Sequence, residues 1–406
     1  MERRTDVLVV GGGATGTGIA RDLALRGVDV TLAERGGLSA GTSGRSHGLL
    51  HSGARYAEAD GPEARACLEE NRTLAEIAGA CVRETGGLFV QLGEDDPAYF
   101  EAKREACEEV GIPTEVVDGD TARDDIPDLS DDVERAMRVP DGVVLPSRLV
   151  AANAADAHEH GAEILTHAPV TDMRRKDGRI TEVELGGEVD GTIEPTFVIN
   201  AAGPYSSSIA EMAGATVGLR PTRGVMVSVD YDRLEPVLNR CRDPDDGDIV
   251  VPHDDEVVLG TTSVPVDDPE EYERADWEVE RSVEECAKML PAVADAAHLR
   301  TWWGVRPLYE PEEAALDARG ISRGFHLLEH ADEDVANLAT IVGGKLTTYR
   351  RMAEATADLV CEQLGVEADC ETATRQLSGA DDPDRLDAFV DEFDGQGPTD
   401  EDVVGS

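Results

Sequence analysis

Residues Val7 to Val10 form an unbroken run of β-branched and leucine side chains that stops at Gly11-Gly12-Gly13. The following ATGTGIARDLALRG carries Ile19 and Leu23 at helical spacing before Gly27, and Val28 to Leu32 makes a second strand. Strand, glycine turn, amphipathic helix and strand together form a βαβ unit, which commits the chain to an α/β fold. Gly11, Gly13 and Gly16 fit the pattern GxGxxG. In that pattern the first glycine turns the chain, the second lets backbone approach a pyrophosphate, and the third lets helix and strand pack closely. Glu34 ends the second strand 18 residues after Gly16. A carboxylate there accepts from a ribose 2'-hydroxyl and repels a 2'-phosphate, which disfavours NADP. The fingerprint itself does not choose between NAD and FAD, and the chain holds only one.

Just past Glu34 comes GTSGRSHGLLHSGARY, Gly41 to Tyr56, too rich in Gly and Ser for an ordinary third element. A charged helical stretch follows from Pro62 to about Ala80, then a short strand Leu88 to Gln91, then an acid-rich, proline-punctuated stretch from 94 to 140. A helix from about Leu149 to His160 leads into Ala162 to Leu165, and a strand Phe197 to Asn200 ends in Ala201-Ala202-Gly203. Residues 220 to 315 read as mixed strands with one long helix, Trp277 to Leu290. Ala339 to Val342 is a strand ending at Gly343-Gly344, with a helix from Thr348 to about Leu364. The expected division is a discontinuous nucleotide domain (1–93, 141–219 and 320–377), a mixed-sheet substrate or cap domain (94–140 and 220–319) and a frayed acidic tail (378–406). No internal repeat is evident.

The 85 acids and 37 bases leave a formal charge of -48 over 406 residues. A nucleic-acid binder or an anionic-membrane binder needs a basic face, so this balance argues against both. Only Lys103, Lys176, Lys288 and Lys345 are lysines, and aromatics are 4%. An acid-rich, lysine-poor surface suits a cytoplasm full of salt, because the Debye length shrinks to about 3 Å at 1 M and self-repulsion is screened. A basic partner is the alternative explanation. The seven cysteines include no CxxC pair, so neither a zinc site nor a disulfide framework is expected, and no metal. The N-terminus does not read as a signal peptide, and nowhere do 18 apolar residues run together.

Gly11 to Gly16, Gly41 to Tyr56, Asn200 to Gly203, Gly260 to Ser263, Gly304 to Leu308 and Gly343 to Arg350 follow one another as in a known family. The sequence resembles the FAD-dependent glycerol-3-phosphate dehydrogenases, in particular the catalytic A subunits of the anaerobic type, within the D-amino-acid-oxidase-like flavoproteins. The resemblance runs from about residue 5 to 377, and SGARY, GVRPL and GGKLTTYR are its specific stretches. It implies a Rossmann-like FAD-binding domain and FAD as cofactor. The implied reaction oxidises sn-glycerol 3-phosphate to dihydroxyacetone phosphate by hydride transfer from C2 to flavin N5. Electrons then go to quinone, through partner subunits at the inner face of the cell membrane, from a protein itself cytoplasmic. Longer family members continue into a cysteine-bearing C-terminal segment that this sequence does not contain, which puts an on-chain electron relay in doubt.

A phosphate dianion on a chain of this charge demands concentrated cations, preferably guanidinium forks. Lys345, in a protein that nearly abandons lysine, and Arg306, between Trp303, Val305 and Pro307, are the leading candidates, and the resemblance places Arg55, Tyr56 and Arg323 at the substrate. A buried ion pair is the alternative for Arg306, and an exposed one for Arg323. His51 is the first choice for proton acceptor, because imidazole titrates near neutrality and HSGARY brings it beside Arg55, with His253 a weaker candidate. The implied cofactor contacts are Gly11, Gly13, Ala14, Thr15, Gly16, Glu34 and Arg35 around the fingerprint. To these the resemblance adds Thr42, Ser43, Arg45, Ser46, His47, Gly48 and Leu49 in the following loop, then Ala202 and Gly203, and Gly343, Gly344, Leu346 and Thr347 at the flavin ring. A helix near Thr348 would aim its positive end at the flavin N1 and O2 region. Another FAD-dependent amine or hydroxy-acid oxidase on the same fold, and a non-catalytic flavin- or nucleotide-binding module, are the competing readings.

Overall fold

The computed structural model describes residues 2–310 and 324–397. Among these the strands form three sheets, of eight, nine and three strands. The expected βαβ opening is present as β1 (Glu2–Val10), α1 (Ala14–Leu25) and β2 (Val30–Ala33). β1 lies parallel between β2 and the strand Gly191–Asn200, and that strand in turn pairs in parallel with Leu338–Gly343. Val7 to Val10 are buried because neighbouring strands flank them and layers cover both faces of the sheet, so their side chains need not alternate. Four parallel strands therefore bring Gly11, Glu34, Ala201 and Gly343 to one edge of the sheet, the carboxyl edge where open α/β sheets form their ligand crevice.

Helix α1 buries Ile19 and Leu23 and packs between the helices Pro146–Glu159 and Tyr349–Leu364. Two glycines make this approach possible. A Cβ on Gly16 would lie 1.9 Å from the carbonyl oxygen of Gly11, and one on Gly18 would lie 3.0 Å from the Tyr349 ring. The packing role of the third fingerprint glycine is thus a backbone contact that no side chain survives.

The second sheet runs in the order Val264–Pro265, Leu219–Asp230, Glu256–Gly260, Ile249–His253, Val237–Arg240, Gly87–Leu92, Val133–Val139 and Glu115–Asp118, with His298–Tyr309 along the other side of Leu219–Asp230. Its strand Gly87–Leu92 corrects the expected boundary at 93, because it pairs with Val133–Val139 and Val237–Arg240 rather than with the first sheet. Leu88, Val90 and Leu92 face one apolar core and Phe89 another, so the strand is a central one. The acid-rich stretch after 93 also holds regular structure, including a helix Pro97–Val110 with Phe100, Lys103 and Cys107 buried.

The expected frayed tail is likewise corrected for residues 378–397. Pro383–Glu392 is a helix whose N-cap Asp382 accepts from the Arg385 N–H at 3.3 Å. Leu386, Phe389, Val390 and Phe393 fall at helical spacing and join the core around helix Pro146–Glu159, and Arg148 forks onto Asp387 at 2.6 and 2.8 Å. Seven acids hid a four-residue apolar stripe. Residues 398–406 lie outside the described residues.

Candidate functional site

A cavity of about 680 Å³ opens at the carboxyl edge of the first sheet. Its lining includes Gly11, Gly13, Ala14, Thr15, Glu34, Arg35, Thr42, Ser43, Ser46, Ala202, Gly203, Gly343, Gly344, Lys345 and Leu346 from the sequence reading. Gly16, Arg45, His47, Gly48, Leu49 and Thr347 are not in that lining. Gly16 packs against Gly11 behind the wall. Arg45 turns back so that its Nε donates to the Ala40 carbonyl at 3.1 Å, while its own carbonyl accepts from Trp302 Nε1 at 3.3 Å. Leu49 is buried in the pair with Val143.

At one end of the cavity Glu34 is held by backbone: Oε2 accepts from the Gly12 N–H at 2.6 Å and Oε1 from the Gly36 N–H at 2.9 Å. Arg35 stacks its guanidinium 3.9 Å from the centre of the Tyr205 ring and pairs with Glu270 from the second sheet's loop. Tyr205 and the 267–270 loop were not foreseen; the only sequence signal is their position just after a glycine turn and a short strand. In the middle stands the N-terminus of α1, which has no acid in its first turn although acids outnumber bases more than twofold in the chain. Ser43 Oγ there accepts from the Ala14 N–H at 3.0 Å. Gly11 has φ +115°, and a Cβ on it would sit 2.5 Å from the Ala201 carbonyl oxygen. A bare backbone cradle, a positive helix end and a carboxylate at the end of β2 match the phosphates and ribose of a dinucleotide.

At the other end the cavity reaches Gly343-Gly344-Lys345-Leu346, both glycines at positive φ. Lys345 pairs with Glu63, and Nζ lies 4.4 Å from the centre of the Tyr56 ring. Tyr56 OH is 3.5 Å from His51 Nε2, and the two rings meet edge on at 5.2 Å. The His51 N–H donates to Thr347 Oγ1 at 3.0 Å, which ties HSGARY to GGKLTTYR directly. Arg55 bonds buried Asp248 at 2.8 Å. Arg306 donates to the Thr262 carbonyl at 3.1 Å and Thr261 Oγ1 at 3.0 Å, and the neighbouring Val305 carbonyl accepts from Thr42. His47 stands within electrostatic reach of both arginines. Enclosure first, then those charges, push its pKa down to about 3, so it is neutral at working pH. Leu49 N–H donates to its Nδ1 at 3.2 Å, which leaves the proton on Nε2.

His253 is wholly buried, and burial lowers its pKa to about 4. Its Nε2 donates to the His47 carbonyl at 2.9 Å, so this candidate base supports His47 from behind. Arg323 lies outside the described residues. No group of three or more metal-ligating side chains occurs among the described residues, and no described helix is long and apolar enough to cross a membrane.

A family model described as FAD dependent oxidoreductase matches residues 6–359. The A1 subunit of the anaerobic glycerol-3-phosphate dehydrogenase of Haloferax volcanii is 50% identical over 408 residues, covering 97% of this chain and 70% of that protein. Its counterpart in the anaerobic glycerol-3-phosphate dehydrogenase of Escherichia coli K12 is 43% identical over 389 residues, covering 93% and 71%. Among solved structures, the glycerol-3-phosphate dehydrogenase of Bacillus halodurans complexed with FAD aligns with a TM-score of 0.71 at 25% identity, over 96% of this chain and 71% of that one. Glycine oxidase from Geobacillus kaustophilus aligns at 0.73 over 93% and 99%, at 22% identity, a likeness of fold alone.

Proposed function

The chain belongs to the FAD dependent oxidoreductase family, and from that premise we propose that it oxidises sn-glycerol 3-phosphate to dihydroxyacetone phosphate as the catalytic subunit of an anaerobic-type dehydrogenase. The observation that carries the reading is the cation-bearing cluster at the Gly343–Leu346 end of the cavity. Lys345, paired with Glu63, and Tyr56 meet His51 there, and Arg55, paired with Asp248, and Arg306 lie within electrostatic reach of His47, in a chain of charge -48. Such a cluster suits a phosphate dianion better than a lone carboxylate, which needs one fork. Bound FAD supplies the two-electron acceptor for the C2 hydrogen.

The protein's own residues bind, orient and move a proton. Arg55, Arg306 and Lys345 hold the phosphate end. Tyr56 and Thr347 fix the plane and the backbone of His51. Nε2 of His51 takes the C2 hydroxyl proton as the hydrogen leaves, with the Tyr56 hydroxyl beside it to orient the ring. Neutral His47 lines the cluster without adding charge next to the two guanidiniums. The relatives' names, each that of one lettered component of a larger enzyme, support partner subunits for this chain; in the proposed reading electrons pass through such subunits to a quinone, and the subunits bring the protein to the inner face of the membrane.

The test is anaerobic: the yellow protein in high-salt buffer is mixed with glycerol 3-phosphate, and flavin absorbance near 450 nm is followed. Bleaching by this substrate and not by glycine, proline or 2-hydroxy acids supports the reading. Bleaching only by one of the others assigns the site to a different oxidase, and no bleaching by any of them leaves a non-catalytic flavoprotein.

A further inference from the structure

Two of the four lysines, Lys176 and Lys288, are exposed, and Lys345 stands in the site. The fourth, Lys103, is 1% exposed, in the middle of the helix Pro97–Val110, and touches neither the cavity nor solvent. A buried ammonium persists only where its donors are all used. Here Nζ donates to the Ala54 carbonyl at 3.1 Å and to both oxygens of Glu58 at 2.7 Å, with the Arg55 carbonyl at 3.5 Å. The rings of Phe89 and Tyr99 close over it at 5.2 and 5.4 Å, and the Tyr99 hydroxyl donates to the same Glu58. The carbonyls it takes belong to Ala54–Tyr56, the short 3-10 turn that carries Arg55 and Tyr56.

The opposite side of that turn is held by the opposite charge. Asp141, buried, accepts from the Ser52 N–H at 2.7 Å and from Asn239 Nδ2 at 3.3 Å. HSGARY thus hangs between a carboxylate on its N–H side and an ammonium on its carbonyl side, both supplied from residues 94–141. We propose that Lys103 is a positioning residue for the substrate: it sets the placement of Arg55 and Tyr56 without touching the ligand. The inference rests on the reading of the site as one for glycerol 3-phosphate.

The test uses the full chain loaded with FAD in high salt, titrated with glycerol 3-phosphate without oxygen. Lys103→Met retains flavin and raises the half-saturating substrate concentration about tenfold, because Arg55 and Tyr56 lose their register. Its limiting reduction rate falls by a smaller factor than half-saturation rises, since the ammonium holds the turn of Arg55 directly and reaches His51 only through the Tyr56 ring. Lys103→Arg, which keeps the cation and the Glu58 pair, recovers most of the affinity. A residue of merely structural value would lower the melting temperature and the flavin content without moving half-saturation. An unchanged half-saturation in flavin-loaded Lys103→Met overturns the inference, as does a loss confined to the limiting rate. Should that variant not hold flavin, Glu58→Gln, which removes the countercharge at a partly exposed carboxylate, raises half-saturation about threefold, and no rise overturns the proposal. Wild-type flavin that stays oxidised is read before any variant and sinks the proposed function, taking this inference with it.

Discussion

Two imidazoles of depressed pKa, His47 and His253, loosen this protein in acid, and the one that a substitution isolates is His253. It is wholly buried, its Nε2–H is committed to the His47 carbonyl, and Nδ1 has no hydrogen-bond partner among the described residues. Burial lowers its pKa to about 4, against about 6.5 in an unfolded chain. The sign follows from the depressed value. The unfolded chain binds the proton first, so the contribution is fully present above about pH 6.5 and is lost as pH falls toward about 4. At pH 5 the unfolded imidazole is about 97% protonated and the buried one about 9%, which amounts to about 2 kcal/mol lost between pH 7 and pH 5. The perturbation is His253→Leu, compared with wild type by urea unfolding at both pH values in concentrated KCl, followed by tryptophan fluorescence. The variant is the less stable at pH 7, by about 1–3 kcal/mol, because the His47 carbonyl loses its donor. Its further loss on going to pH 5 is smaller than that of wild type by about 2 kcal/mol. Equal losses in the two proteins would refute the argument, because the groups common to both, His47 and the carboxylates, would then account for all of the acid sensitivity.

Other expectations concern cofactor, catalysis and surface. Gly16→Ala places a methyl 1.9 Å from a backbone oxygen, so the protein purifies without yellow colour and is not reconstituted by added FAD, at a stability cost of about 1–3 kcal/mol. His51→Gln keeps its flavin but lowers the stopped-flow rate of reduction by glycerol 3-phosphate about 10²–10⁴-fold, and an unchanged rate removes His51 from the mechanism. The melting temperature rises by several degrees between 0.1 M and 3 M KCl, as screening relieves a charge of -48; the same rise with sucrose in place of KCl would assign the effect to hydration instead.

The nucleotide half of the molecule was legible because its signals are local. Four apolar residues, three glycines at fixed spacing and an acid at the end of β2 occupy consecutive stretches, and each element lies within a few residues of its expected place. The helices expected at 277–290 and 348–364 are present as Asp276–Met289 and Tyr349–Leu364. What stayed hidden depends on contacts far apart in sequence. Lys103 is 48 residues from Arg55, and nothing in EAKREACEEV separates it from a solvated helical lysine. Tyr205 and Glu270 meet Arg35 only through tertiary packing. Residues 378–397 read as tail because seven acids outweigh Leu386, Phe389, Val390 and Phe393 in any average of composition, although the spacing of those four is helical. His253 looked like the end of a strand before a turn, which it is; its partner, the His47 carbonyl, lies 206 residues earlier.

The late helix carries a consequence for biogenesis. Phe393 and Gln396 exchange backbone hydrogen bonds with Leu38, at 3.1 and 3.0 Å, and the Gln396 carbonyl accepts from Ser39, on the loop that leads into the dinucleotide cradle. A ribosome emits its product from the amino end, so the loop at 38–44 is without this support until residue 396 has left the exit tunnel. Flavin capture is therefore a late event in the life of a new chain, and a cell short of flavin would accumulate full-length colourless protein rather than stalled fragments.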